Sequence, residues 1–131
     1  MFKVKEKYNI AIIGATGIVG ESLLNILYSR KFPVDKIVAI ASSRSAGSKV
    51  KYGDTLIEVV AIDNYGFENI DIAFFSAGSG VSKKYAPIAT QKGVVVIDNT
   101  SEFRYVDDIP LIVPEVNSVE ISKHVKKNII A

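Results

Sequence analysis

Four short stretches of this sequence hold the residue types that grip phosphates and other anions. The first is Gly14-Ala15-Thr16-Gly17-Ile18-Val19-Gly20, with its glycines spaced G-x-x-G-x-x-G. Without a Cβ, glycine lets backbone N–H groups come close to a phosphate, and a helix opening directly after the turn adds about half a positive charge. A glycine pattern by itself also describes an ordinary tight turn between a strand and a helix, so its context has to decide.

The second stretch, Ser42-Ser43-Arg44-Ser45-Ala46-Gly47, contains no acid, and none follows until Asp54. A site for NAD places an Asp or Glu near this point to bond the ribose 2′-hydroxyl, so NADP is the expected dinucleotide. The Arg44 fork can stack on adenine and bond a 2′-phosphate, with the Ser42 and Ser45 hydroxyls donating to the same oxygens. The competing reading is a solvated serine-rich loop with a surface arginine. The third stretch, Ser76-Ala77-Gly78-Ser79-Gly80, has side chains small enough for a cofactor's ribose or nicotinamide end to lie against the backbone; Ser79 is also a candidate helix N-cap. In the fourth, Asp98-Asn99-Thr100-Ser101-Glu102-Phe103-Arg104, Asp98 or Ser101 could do no more than cap local turns, whereas Arg104 is suited to a second, substrate-borne anion. His124 stands alone among lysines and reads as solvated surface. The sequence has no cysteine, which excludes disulfides, thiolate metal sites and a cysteine nucleophile within these residues, and no metal site is expected.

These stretches fall at the ends of apolar runs. Residues 8–13 (YNIAII) read as a strand buried on both faces, followed by a helix with Val19, Leu23, Ile26 and Leu27 on its apolar stripe and Pro33 closing it off. Residues 36–41 form a second core strand. The runs 49–52 and 56–62 flank Gly53-Asp54-Thr55 as a pair of shorter strands at the domain edge. Residues 71–76 form a third core strand, leading into a helix with Val81, Tyr85, Ile88 and Ala89 on one face, which Pro87 must kink or restart. Residues 94–97 are a fourth core strand and 111–113 a short fifth, while 118–127 shows weak helical spacing. The alternation of strand and helix implies right-handed βαβ units in a doubly wound, mostly parallel α/β sheet, a Rossmann-type arrangement. Such sheets bind ligands beyond the carboxyl ends of their strands, where all four polar stretches lie.

With 131 residues, 48% of them hydrophobic and 23% charged, the chain is expected to be one dinucleotide-binding domain spanning residues 1–131. A net charge of +2, with lysines in small groups, is too mild to argue for nucleic acid. No apolar run is long enough for a membrane span and no secretory signal is visible, so a cytoplasmic protein is expected.

Several separate segments together resemble aspartate-semialdehyde dehydrogenase: GATGIVG at 14–20, SSRSAG at 42–47, FFSAGSGVSKKYAP at 74–87, VIDNTSEFRY at 96–105 and PLIVPEVN at 110–117. Their order and spacing cover nearly the whole chain. N-acetyl-glutamyl-phosphate reductase shares the first motif but is less like the last two. The resemblance implies an enzyme that uses NADPH to reduce aspartyl β-phosphate to aspartate semialdehyde and phosphate, in the supply of lysine, threonine, methionine and diaminopimelate. It implies that Gly14, Thr16, Gly17, Ile18, Val19 and Gly20 form the cofactor turn, with Thr16 to Val19 touching the pyrophosphate. Ser42, Arg44 and Ser45 are implied around the 2′-phosphate, Ser76, Ala77 and Gly78 along the cofactor, and Arg104 on the substrate phosphate or inorganic phosphate.

In that family a cysteine thiolate forms a thioester and a histidine acts as acid and base. The cysteine would follow a segment resembling 128–131, so no catalytic residue is expected within the chain. The histidine and most of a homodimer surface would also lie beyond residue 131. A bare Ile129-Ile130-Ala131 end, which would expose a strand edge, gives the same expectation of truncation. The expectation is therefore a chain that binds NADP weakly at best and turns over nothing. A non-catalytic NADP-binding sensor is the alternative from another class. Short-chain reductases and epimerases are disfavoured because no Tyr is followed by a Lys four residues on.

Overall fold

A computed structural model describes residues 4–131. Strand β1 (Tyr8–Ile13) leads through the first glycine turn into α1 (Ile18–Ser29), then β2 (Val34–Ala41). The hairpin β3 (Lys49–Tyr52) and β4 (Thr55–Ala61) follows, then β5 (Ile72–Phe75), α2 (Ser79–Gln91) and β6 (Val95–Asp98). A short helix α3 (Pro114–Asn117), a 3-10 helix (Ser118–Lys126) and β7 (Ile129–Ile130) complete the described chain.

The strands form one sheet in the order β3-β4-β2-β1-β5-β6-β7. Every pairing is parallel except that of β3 with β4. The doubly wound, mostly parallel sheet expected from the alternation is present. β1 is central, and Ile10, Ala11 and Ile12 have no exposed surface. Its side chains divide by parity, as a period-2 strand requires. Ile10 and Ile12 pack with Leu24 and Leu27 of α1, whereas Ala11 and Ile13 pack with Tyr85, Ala86 and Ala89 of α2. Each fully buried isoleucine contributes about 1.5–3 kcal/mol of hydrophobic stabilisation. From β1 the chain moves to β2 on one side, and after the hairpin it crosses back to β5 on the other. This reversal opens a crevice at the carboxyl ends of β1 and β5.

The helix faces differ from those read from periodicity. In α1 the buried residues are Gly20, Leu24 and Leu27, while Val19 and Ile26 are 42% and 47% exposed. Apolar residues at 18, 19, 23, 24, 26 and 27 fit more than one stripe, and the close approach of Gly20 to the first turn selects the one used. In α2 the buried set is Ser82, Tyr85, Ala86 and Ala89, with Ile88 turned outward. Pro87 lies inside α2, which continues through it as a single helix.

Residues 111–113 form no strand. Pro110 and Pro114 bracket them and carry no N–H for a ladder. The edge position goes instead to β7, which pairs with β6 through Val96↔Ile129 and Ile97↔Ile130 and buries Ile129. Residues 110–112 cross its end through hydrogen bonds from Ala131 N to Pro110 O (2.9 Å) and from Ile112 N to Ala131 O (2.8 Å). The Ile129-Ile130 segment is thus an edge strand laid against the sheet.

Candidate nucleotide and anion site

The first turn is shaped by backbone contacts. Gly14 has φ +89°, and a Cβ there would come within 2.8 Å of the Ser76 carbonyl oxygen, so β1 and β5 close together at this point. A Cβ on Gly20 would strike the Gly14 carbonyl and come within 2.8 Å of the Ala15 Cα. The three glycines therefore divide the work. Gly14 turns the chain, Gly17 is the N-cap of α1, and Gly20 seats the helix on the turn. Hydrogen bonds from the Gly14 and Ala15 amides to Ile40 O (2.9 and 3.1 Å) tie the turn to β2, and the Ser76 amide and hydroxyl both donate to Ile13 O (2.9 and 3.0 Å). No side chain caps α1, so the amides of Ile18, Val19 and Gly20 open the helix without an acceptor one turn earlier. The amides without helical acceptors are also the positive end of the helix dipole, and both descriptions favour an anion here.

A concavity of about 290 Å³ lies against this turn, lined by Gly14, Thr16, Gly17, Ser42, Ser76 and Ala77, with Ile13, Ala41, Ile62 and Val81 as apolar wall. The first and third stretches and the start of the second thus meet around one space. Of the other expected residues, Ile18 and Val19 stand exposed at the helix start, and Gly20 is buried beneath it. Arg44 is exposed in the turn after β2, and among the described residues no ion pair holds it. Ser45 holds that turn together, its amide donating to Ser42 O and its carbonyl accepting from Ser48 Oγ at 2.6 Å. A second concavity, about 570 Å³, shares Thr16 and is lined by Ser48 and by Lys49 and Lys51, two cations that sequence reasoning did not single out.

Gly78, with φ +94°, is the N-cap of α2, so Ser79 is the first helical residue and not the cap. Its hydroxyl lies 3.0 Å from Ser101 Oγ, linking the start of α2 to the turn after β6. That turn is built from side chains. Asp98 is 3% exposed; its Oδ1 accepts from Ser82 Oγ (2.8 Å) and Thr100 N (3.2 Å), and its Oδ2 accepts from Thr100 Oγ1 (2.8 Å). Thr100 Oγ1 also accepts from Glu102 N at 3.3 Å, and the Thr100 carbonyl accepts from Arg104 Nε at 3.1 Å. Asp98 does cap its local turn, and through Ser82 it also fastens that turn to α2. His124, half-buried on the 3-10 helix with Nδ1 2.9 Å from Ile121 O, is away from these turns.

The geometry is that of a dinucleotide domain, and comparison with known proteins identifies which kind. Residues 9–124 match the family described as Semialdehyde dehydrogenase, NAD binding domain. The chain belongs to that family. The aspartate-semialdehyde dehydrogenase of Rickettsia bellii (strain RML369-C) is 55% identical over 126 residues, covering 96% of this chain and 37% of the relative. That of Shewanella violacea is 46% identical over 128 residues, covering 98% of this chain and 38% of the relative. The solved structure of aspartate semialdehyde dehydrogenase II from Vibrio cholerae, complexed with ASA, superposes with a TM-score of 0.92 at 49% identity, covering 95% of this chain and 41% of that one. The resemblance read from the five motifs is borne out, and the chain spans less than half the length of these relatives. Within this semialdehyde dehydrogenase domain, no helix among the described residues is long and apolar enough to cross a membrane.

Proposed function

We propose that residues 1–131 are the NADP-holding domain of an aspartate-semialdehyde dehydrogenase, the enzyme that reductively dephosphorylates L-aspartyl 4-phosphate to L-aspartate 4-semialdehyde. The observation that carries this reading is the convergence of the open α1 amides and the acid-free Ser42 turn on one crevice, with Arg44 free in that turn. The family description names NAD, and the preference for NADP rests on Arg44 and the missing acid.

In this reading Thr16 to Val19 touch the pyrophosphate, with the amides of Thr16, Ile18 and Val19 as donors and the Gly17 amide engaged with Gly14 O (3.1 Å), neutralising its charge without ordering any long side chain. Gly14 and Gly20 let strand and helix close tightly enough to aim those amides. Arg44 and the Ser42 and Ser45 hydroxyls receive the 2′-phosphate. Ser76, Ala77 and Gly78 leave room for the nicotinamide ribose along the end of β5. When bound, the cofactor supplies a hydride for an acyl carbon. Arg104 receives the phosphate of the acyl phosphate, or inorganic phosphate in the reverse direction. The thioester route needs a thiolate, and these residues contain no cysteine. We place that nucleophile, the histidine acid/base and the homodimer surface in the part of the longer enzyme outside residues 1–131.

Calorimetric titration of the chain with NADP and with NAD, on wild type and Arg44→Ala, tests the proposal. Wild type is expected to prefer NADP by about tenfold or more, the worth of one or two charge-assisted hydrogen bonds, and Arg44→Ala to lose that preference. Equal affinity of wild type for the two dinucleotides would remove the NADP assignment.

A further inference from the structure

The geometry points to Asp98 and Thr100 as positioning residues for Arg104, fixing the direction in which its guanidinium meets a phosphate. The inference rests on the reading of Arg104 as a phosphate receptor. Arg104 is exposed and among the described residues no ion pair holds it, so its long side chain has no charged partner to fix its direction. The fold engages it through Nε, which donates to the Thr100 carbonyl at 3.1 Å. This contact occupies one edge of the planar group and leaves the two Nη atoms for a pair of parallel bonds to an anion.

The carbonyl that does this is itself held. Thr100 is clamped to Asp98 twice, by its amide (3.2 Å) and by its hydroxyl (2.8 Å), and Asp98 is bonded to Ser82 of α2 (2.8 Å). Asp98 is 3% exposed and Thr100 9%, and a buried carboxylate is costly unless several donors satisfy it. A turn needing only to reverse direction could be made by glycine or a solvated Asx residue. What the buried carboxylate adds is a residue 100 held at both its amide and its hydroxyl, from which the following carbonyl and the guanidinium bonded to it take their direction. Holding the fork in advance removes part of the ordering cost of anion binding.

Inorganic phosphate is the probe, titrated into the chain at constant ionic strength and followed by the nitrogen-15 NMR signal of Arg104 Nε–H. Wild type is expected to bind with a shift of that signal, and Arg104→Ala to lose the binding. Thr100→Val, which removes the hydroxyl at nearly constant shape, is expected to weaken phosphate binding about fivefold and to broaden the Nε–H signal, the loss of one hydrogen bond to a charged network. Thr100→Ser keeps the hydroxyl and should restore both readouts. Asp98→Asn, a second lesion of nearly unchanged shape, acts in the same direction. If Thr100→Val and Asp98→Asn keep native amide spectra and wild-type phosphate affinity while Arg104→Ala abolishes binding, the positioning role is wrong and Arg104 remains a receptor. Phosphate shifts indifferent to Arg104→Ala would remove the receptor reading and this inference with it.

Discussion

The two turns for which an anion is proposed are made by opposite means. At 14–20 the chain clears side chains away, so that carbonyls and amides meet directly: the Gly14 Cα lies against the Ser76 carbonyl and Gly20 against Gly14. At 98–104 the chain adds side chains, and a buried carboxylate with two hydroxyls sets the backbone that steers an arginine. A backbone cradle is rigid but recognises only what phosphates share. A side-chain scaffold can aim one charge at one group, and it depends on every member of its network. The first turn should therefore fail by steric clash, and the second by lost hydrogen bonds.

The largest effect is expected at Gly20. An added Cβ there meets backbone atoms of Gly14 and Ala15, which cannot move without separating α1 from β1. Gly20→Ala is expected to destabilise the domain by about 2–3 kcal/mol in denaturant unfolding, the overpacking cost outweighing the roughly 1 kcal/mol that alanine gains in a helix. Gly80, in the first turn of α2, has nothing within 4 Å of its would-be Cβ and is the internal control. Gly80→Ala is expected to stabilise by about 0.4–1 kcal/mol. Stabilisation at both positions would mean that α1 is not seated on the turn as described.

This difference also explains what could be read from sequence. Glycine at 14, 17 and 20 is visible in one line of text because the cradle is local, and the flanking apolar runs show that it sits between a strand and a helix. The alternation of runs was enough for the doubly wound, mostly parallel sheet, with the polar stretches at the carboxyl ends of its strands. The face of α1 was not legible. Periodicity counts apolar side chains, and the deciding contact belongs to a glycine that has none. The edge strand was misplaced because 111–113 is as apolar as 129–130, and only the flanking prolines separate them. The Ser82, Asp98 and Thr100 network joins a serine in the first turn of α2 to a strand end 16 residues on, a contact created by the packing of α2 on β6. Arg44 and Arg104 were visible as residue types in suggestive places, but the carbonyl that holds Arg104 was not.

The side-chain turn should break more gently. Ser82→Ala removes one donor from Asp98 Oδ1 but leaves the Thr100 amide and hydroxyl in place. Loss of a buried hydrogen bond to a charged acceptor predicts a destabilisation of about 1.5 kcal/mol, with the fold intact. Urea unfolding checks this: a change below a few tenths of a kcal/mol would mean that water replaces the hydroxyl, and the turn would then not be fastened to α2 through a dry contact.

The smallest effect is expected where the start of α2 meets the 98–104 turn at the surface. Ser79, at the start of α2, meets Ser101 of the 98–104 turn through their hydroxyls at 3.0 Å, and both residues are exposed. Water offers each hydroxyl an equal partner once the other is gone, so Ser101→Ala is expected to change stability by no more than about 0.5 kcal/mol. A double-mutant cycle with Ser79→Ala, measured by urea unfolding, should return a coupling of about the same size or less. A coupling above about 1 kcal/mol would show that the start of α2 and the 98–104 turn act as one rigid unit. The turn would then be fixed to α2 at two points, at Ser79 as well as at Ser82, and it would no longer depend on its carboxylate network alone.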